Sequence, residues 1–87
     1  MTLSNEQYYR ILKQVSIKLN GNESFVWIKP ILTEVGLEQY KPYSQEITKY
    51  LEDKHFIKTN TSHSFSKFIT RLLPAAIDYL REFEVNK

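Results

Sequence analysis

Apolar side chains at Tyr8, Ile11, Leu12, Val15 and Leu19 recur every three or four positions, the period of one helix face. The run Ser4-Asn5-Glu6-Gln7 ahead of them fits a capping box, the Ser4 hydroxyl taking an orphan N–H and Gln7 reaching back. Asn20-Gly21 supplies a stop, because glycine accepts the left-handed conformation of a helix end. A first helix is predicted over residues 5–19, with Lys13 and Lys18 off its stripe and in solvent. Phe25-Val26-Trp27-Ile28 is a short apolar run that reads as a small strand or an extended lead-in. Pro30 then fits the first turn of a second helix over residues 30–35, closed by Gly36, with Ile31, Leu32 and Val35 inward. Residues 37–41 form a connection. A third helix is predicted over residues 42–54: Tyr43, Ile47, Tyr50, Leu51 and the stem of Lys54 share one face, while Lys41, Gln45, Thr48, Lys49 and Glu52 share the other.

Beyond this helix the period changes. Residues 56–59 and 65–70 are rich in aromatic and β-branched side chains, and residues 60–64, Asn-Thr-Ser-His-Ser, are turn formers. Together they predict a β-hairpin, which is marginal alone in water and must pack on the helices. Helical spacing returns at Leu72, Leu73, Ala76, Ile77, Leu80 and Phe83, with Pro74 in the first turn. Glu82 and Glu84 oppose the helix dipole, so this helix is expected to fray at its end. The predicted class is α+β, mostly helical, in one domain over residues 1–87.

Composition narrows the chemistry. Hydrophobic residues make up 41% of the 87, including six Tyr and five Phe, enough for one core and against disorder. With no Cys there is neither disulfide nor thiolate chemistry, which fits a reducing cytoplasm. The N-terminal stretch is not a signal peptide, no apolar run is long enough to span a membrane, and the expected location is cytoplasmic. The net charge of +2 is compatible with a nucleic-acid partner and equally with an ordinary surface. His55 and His63 are the only histidines; without Cys or helical spacing they make no zinc site, and no nucleophile motif joins them to Asp53 or Asp78. Gly21 and Gly36 are the only glycines, so no phosphate-binding glycine loop exists. No enzyme activity, metal, cofactor or small-molecule substrate is expected. Trp27 reads as a core anchor between helices or as a stacking platform for a base or ligand.

The phrase Tyr50-Leu51-Glu52-Asp53-Lys54-His55-Phe56-Ile57 resembles the helix-to-strand junction Y-L-E-x-K-G-x-I of bacterial winged-helix domains. Ile69-Thr70 followed by Ala76-Ile77-Asp78-Tyr79-Leu80 resembles their I-T-x-x-G-x-x-Y-L after the wing. The layout is similar to short stand-alone winged-helix proteins of the YjcQ kind and to the DNA-binding cores of the MarR and PadR regulators. The resemblance covers most of the chain. It implies a winged helix: a three-helix core, a two-stranded β-hairpin wing and a C-terminal helix. His55 stands where the family usually has Gly, the turn over residues 37–41 is about two residues longer than the family's, and Arg71-Leu72-Leu73-Pro74 lacks the usual Gly.

That family implies a non-catalytic DNA-binding protein and transcriptional regulator, with a recognition helix over about 42–54 and a wing over about 56–70. On the helix, Lys41, Ser44, Gln45, Thr48 and Lys49 are the candidate base readers. On the wing, Lys58, Asn60, Thr61, His63, Lys67 and Arg71, with Ser62 and Ser64, are donors suited to phosphate oxygens. Residues 41–71 hold six Lys or Arg against Glu46, Glu52 and Asp53, a local balance of +3. A plain solvated face explains the same residues, and a winged helix used as a protein-interaction module is the alternative function. The apolar face of the last helix either packs on the first helix or pairs two copies of the chain as a homodimer.

Overall fold

Ser4 opens the first helix as its sequence requires: its hydroxyl accepts from the Gln7 amide at 3.1 Å, and its own amide donates to Gln7 Oε1 at 2.7 Å. In this computed structural model, which describes residues 2–86, that helix is α1, Asn5–Leu19. Its end departs from expectation. Asn20 stays right-handed (φ −82°, ψ −7°), and Gly21 is not among the residues with positive φ. The Asn20 and Gly21 amides simply continue to the Ser16 and Lys18 carbonyls, so the stop needs no left-handed residue.

After an extended stretch, α2 covers Ile28–Glu34. It starts two residues earlier than predicted, which keeps Pro30 in the first turn, where a missing N–H costs nothing. Gly36, at φ +79°, closes it: the Leu37 amide donates to the Leu32 carbonyl at 2.7 Å and the Gly36 amide to the Thr33 carbonyl at 3.2 Å. This is a Schellman end, which requires a left-handed residue at that place. The expected connection over residues 37–41 is instead a 3₁₀ helix, Glu38–Tyr43, with Pro42 inside it. Helix α3 therefore begins only at Ser44 and runs to Asp53. Tyr43 falls outside it and is exposed, not buried. A second Schellman end follows. His55 takes φ +59°, its amide reaching the Glu52 carbonyl and the Phe56 amide the Leu51 carbonyl, both at 2.9 Å. His55 thus takes a left-handed conformation that glycine adopts more readily.

The hairpin pairs β1, Ile57–Thr61, with β2, Lys67–Leu72, antiparallel, with a register shift between Lys58 and Thr59. Both strands sit one or two residues later than predicted. The aromatic Phe65 suggested strand, but the Ser62 amide bonds the Ser66 carbonyl at 2.8 Å, and Phe65 turns at φ +64°. Val26 adds an antiparallel bridge to Ile69 on the free side of β2, with hydrogen bonds of 2.9 and 2.8 Å.

Helix α4 spans Pro74–Val85. It does not fray at Glu82 as predicted, because Glu84 is held from α1 by Lys13 Nζ and by the Tyr9 hydroxyl, each at 2.8 Å. Lys13 is therefore not simply solvated, and neither is Lys18, which lies 3.1 Å from Glu34 and 3.8 Å from Glu23. Ala76 and Leu80 are buried, Phe83 stacks on Tyr9 at 4.3 Å, and the Tyr79 hydroxyl donates to the Asn5 carbonyl at 2.8 Å. Leu72 ends β2 and Leu73 caps the helix, so only Ile77 and Val85 remain exposed large apolar side chains of α4. The core is built from Ile11, Leu12 and Val15 of α1, Ile31 and Leu32 of α2, Ile47 and Leu51 of α3, and Ile69 of β2. Each side chain fully removed from water contributes about 1.5–3 kcal/mol. No helix among the described residues is long and apolar enough to cross a membrane.

Candidate nucleic-acid interface

Helix α3 buries Ile47 and Leu51, which leaves its opposite side as the floor of an open groove of about 860 Å³. The start of α2, from Trp27 to Pro30, forms one wall, and the hairpin tip, from Ser64 to Lys67, forms the other. Gln45, Lys49, Glu52 and Asp53 come from the floor. This spacing of three and four puts them in one row along the helix.

Ser44 and Thr48 also border the groove, but at 7% and 6% exposure they are buried. The Thr48 hydroxyl donates to the Ser44 carbonyl at 2.8 Å, turning back into its own helix. The expectation that they are exposed is corrected: they sit one position off the outer row, and the Thr48 hydroxyl is satisfied within its own helix. Lys41 lies apart from this groove. It belongs to the 3₁₀ helix, is half-buried, pairs with Glu38 at 3.4 Å and does not line the groove. Of the five helix residues singled out, Gln45 and Lys49 are the exposed ones on the floor.

Glu52 ties the wall to the floor. Its carboxylate accepts from the Thr59 hydroxyl and from Lys67 Nζ, both at 2.9 Å. Burial pushes the Glu52 carboxyl up, but the hydrogen bonds from Lys67 and Thr59 and the Lys67 charge outweigh it, holding the group below the ordinary glutamate value. Lys67 is thus a clasp between hairpin and helix. Lys54 is also engaged, its Nζ lying 5.7 Å from the centre of the Tyr50 ring, which in turn stacks on Tyr8 at 4.3 Å. No acid among the described residues pairs with Lys29, Lys49, Lys58 or Arg71.

The wing candidates do not converge. Arg71 faces a second groove, of about 660 Å³, between α1, α4 and β2, where Lys13, Arg81, Glu23 and Glu84 also lie. Lys58 stands opposite Arg71 in the ladder, and Asn60, Thr61 and His63 continue toward the tip; all are exposed and none lines either groove. Two like charges facing each other across a ladder disfavour the hairpin unless an anion comes between them.

Two contributors, Lys29 and Phe65, escaped the sequence reading, and of the two readings offered for Trp27 the buried anchor is not the one observed. Trp27 is 37% exposed, packing edge-on against Phe25 and Phe68 beside the groove, at the N-cap of α2. Lys29 and Phe65 come from opposite walls that only folding brings together. One signal was readable in advance: between Asp53 and Asp78 the chain has no acid, while Lys54, Lys58, Lys67 and Arg71 fall within that stretch. No group of His, Asp or Glu among the described residues is placed to hold a metal ion. Comparisons with protein-family models, curated proteins and solved structures find no match.

Proposed function

We propose that the chain is a winged-helix protein that binds duplex DNA without catalysing a reaction and regulates transcription, with α3 as recognition helix and the hairpin as wing. The order helix, bridging Val26, helix, helix, hairpin, helix supports the winged-helix reading, as does the left-handed residue at the α3-to-β1 junction. The observation that carries DNA binding is the acid-free hairpin, fixed through Glu52 to a helix that presents Gln45 and Lys49. Gln45 suits adenine and Lys49 guanine, while Lys29, Lys58 and Arg71 have no acidic partner among the described residues and suit phosphates. Pairing of two copies through α4, the other partner the sequence suggests, would rest on Ile77 and Val85.

The test is a titration of random-sequence duplex at 50 and 200 mM salt. With about four phosphate contacts the binding constant falls by roughly two orders of magnitude between them. No binding at 50 mM refutes the proposal. Gln45→Ala and Lys49→Ala should then alter sequence preference; unchanged preference removes α3 as the reader.

The alternative of a protein-interaction module is favoured by one observation. The groove is rimmed by Trp27 and Phe65, and its three lysines face Glu52 and Asp53, so it is nearly neutral and partly apolar. Failure of duplex binding at low salt together with an intact fold selects that reading.

A further inference from the structure

The apex of the hairpin carries one residue that its surroundings do not explain. Phe65 is 88% exposed, the most exposed large apolar side chain among the described residues. Its backbone is left-handed at φ +64°, a costly conformation for an aromatic residue. Its ring stacks on none of the neighbouring aromatic rings, although Phe25, Trp27 and Phe68 cluster together beside the tip end of β2. Nor is the tip loose. The Ser62 amide bonds the Ser66 carbonyl at 2.8 Å, the Phe65 amide bonds the Ser62 carbonyl at 3.0 Å, and the Ser62 and Ser64 hydroxyls meet at 3.0 Å. A stitched turn thus holds a bare phenyl ring outward.

Resting on the DNA-binding reading above, we propose that Phe65 is a wedge that enters the minor groove of the bound duplex and parts one base step. Minor-groove base edges offer acceptors, and the residues flanking the ring, Ser62, His63, Ser64 and Ser66, carry donors. Lys58, farther down the first strand, supplies positive charge, and no acid stands anywhere on the hairpin to repel phosphates. Both residues adjacent to the ring are serine, and the apolar lining of its groove, Trp27, Ile28 and Pro30, comes from the opposite wall. Apolar wedges of this kind unstack a step and kink the duplex by about 20–90°.

The experiment uses the full chain with duplexes carrying a fluorophore pair at their ends, and with duplexes containing 2-aminopurine, whose emission rises on unstacking. Binding itself is followed separately by anisotropy. The wild type should shorten the end-to-end distance and brighten 2-aminopurine. Phe65→Ala should abolish both signals and weaken binding about tenfold, with its melting temperature held within a few degrees as for any exposed position. Phe65→Leu, still apolar, should restore part of both. Wild-type binding by anisotropy with neither bending nor brightening overturns the wedge and leaves DNA binding standing, as does Phe65→Ala retaining both signals. Absence of any anisotropy change at low salt overturns both proposals.

Discussion

Replacing Glu52 with glutamine should weaken the fold and strengthen the hold on DNA. In the folded chain the Glu52 carboxylate joins α3 to the hairpin through Thr59 and Lys67 at 2.9 Å each. Glutamine has nearly the same shape, and its carbonyl oxygen can still accept from Thr59, so the neutral half of the clasp survives. What is lost is the charge facing Lys67. Their side chains are 28% and 52% exposed, which places the pair near the surface regime, worth up to about 1 kcal/mol. For a domain of this size that is a fall in melting temperature of roughly 4–8 °C at most. The gain comes from the same change. One negative charge leaves the floor of the groove and the Lys67 ammonium is freed for a phosphate. One more neutralised phosphate steepens the slope of log K against log salt by about 0.9, so the loss of affinity between 50 and 200 mM salt grows by about threefold. The assays are thermal unfolding by circular dichroism and anisotropy titration at the two salts. A variant that melts lower and binds duplex more weakly at 50 mM, with an unchanged salt slope, refutes the reasoning.

Acidification tests the same carboxylate. Its folded-state pKa lies below the ordinary 4.5, so its contribution to stability is complete above that value and is lost as pH falls through the folded value. Urea midpoints measured from pH 6 downward should decline more for the wild type than for Glu52→Gln. His55→Gly should stabilise the chain by about 0.5–1 kcal/mol, since relief of the left-handed strain at φ +59° exceeds the added freedom of the unfolded glycine; a lower urea midpoint would sink this account of the junction. Gly36→Ala should do the reverse, costing about 1–2 kcal/mol, because the site sits at φ +79° and the new Cβ would lie 3.3 Å from the Arg10 guanidinium, whose donation to the Val35 carbonyl closes the same turn.

Local rules made much of the fold readable. The α1 boundaries followed from Ser4, Gln7 and the apolar period, since a capping box and a helical stripe are properties of adjacent residues. Ile47 and Leu51 were placed in the core by the same period. The failures share a cause. The inward or outward sense of Tyr43, Thr48 and Trp27 depends on which element packs beside them, and no local pattern encodes that neighbour. Pro42 looked like a helix start but sits within a 3₁₀ helix, moving the start of α3 and taking Lys41 and Tyr43 out of it. Phe65 looked like strand because aromatic residues favour strands, yet the Ser62–Ser66 hydrogen bond made it the turn. At the candidate interface, Gln45 and Lys49 were legible as an outward row, whereas Lys29 entered only when the two walls met. Charge was the part of the site most open to a reader, because an absence of acids over a whole hairpin needs no geometry to be seen.

The bridge between Val26 and Ile69 bears on what the hairpin needs to be stable. Two strands alone are marginal in water, and β2 has its second ladder partner only at Val26, far back along the chain between α1 and α2. Closing that long loop costs entropy before any contact rewards it. The hairpin's stability therefore depends on the amino-terminal segment that carries Val26. The reciprocal hydrogen bonds of Val26 and Ile69 thus join the β1–β2 ladder and the Glu52 clasp in fixing the surface offered to a partner.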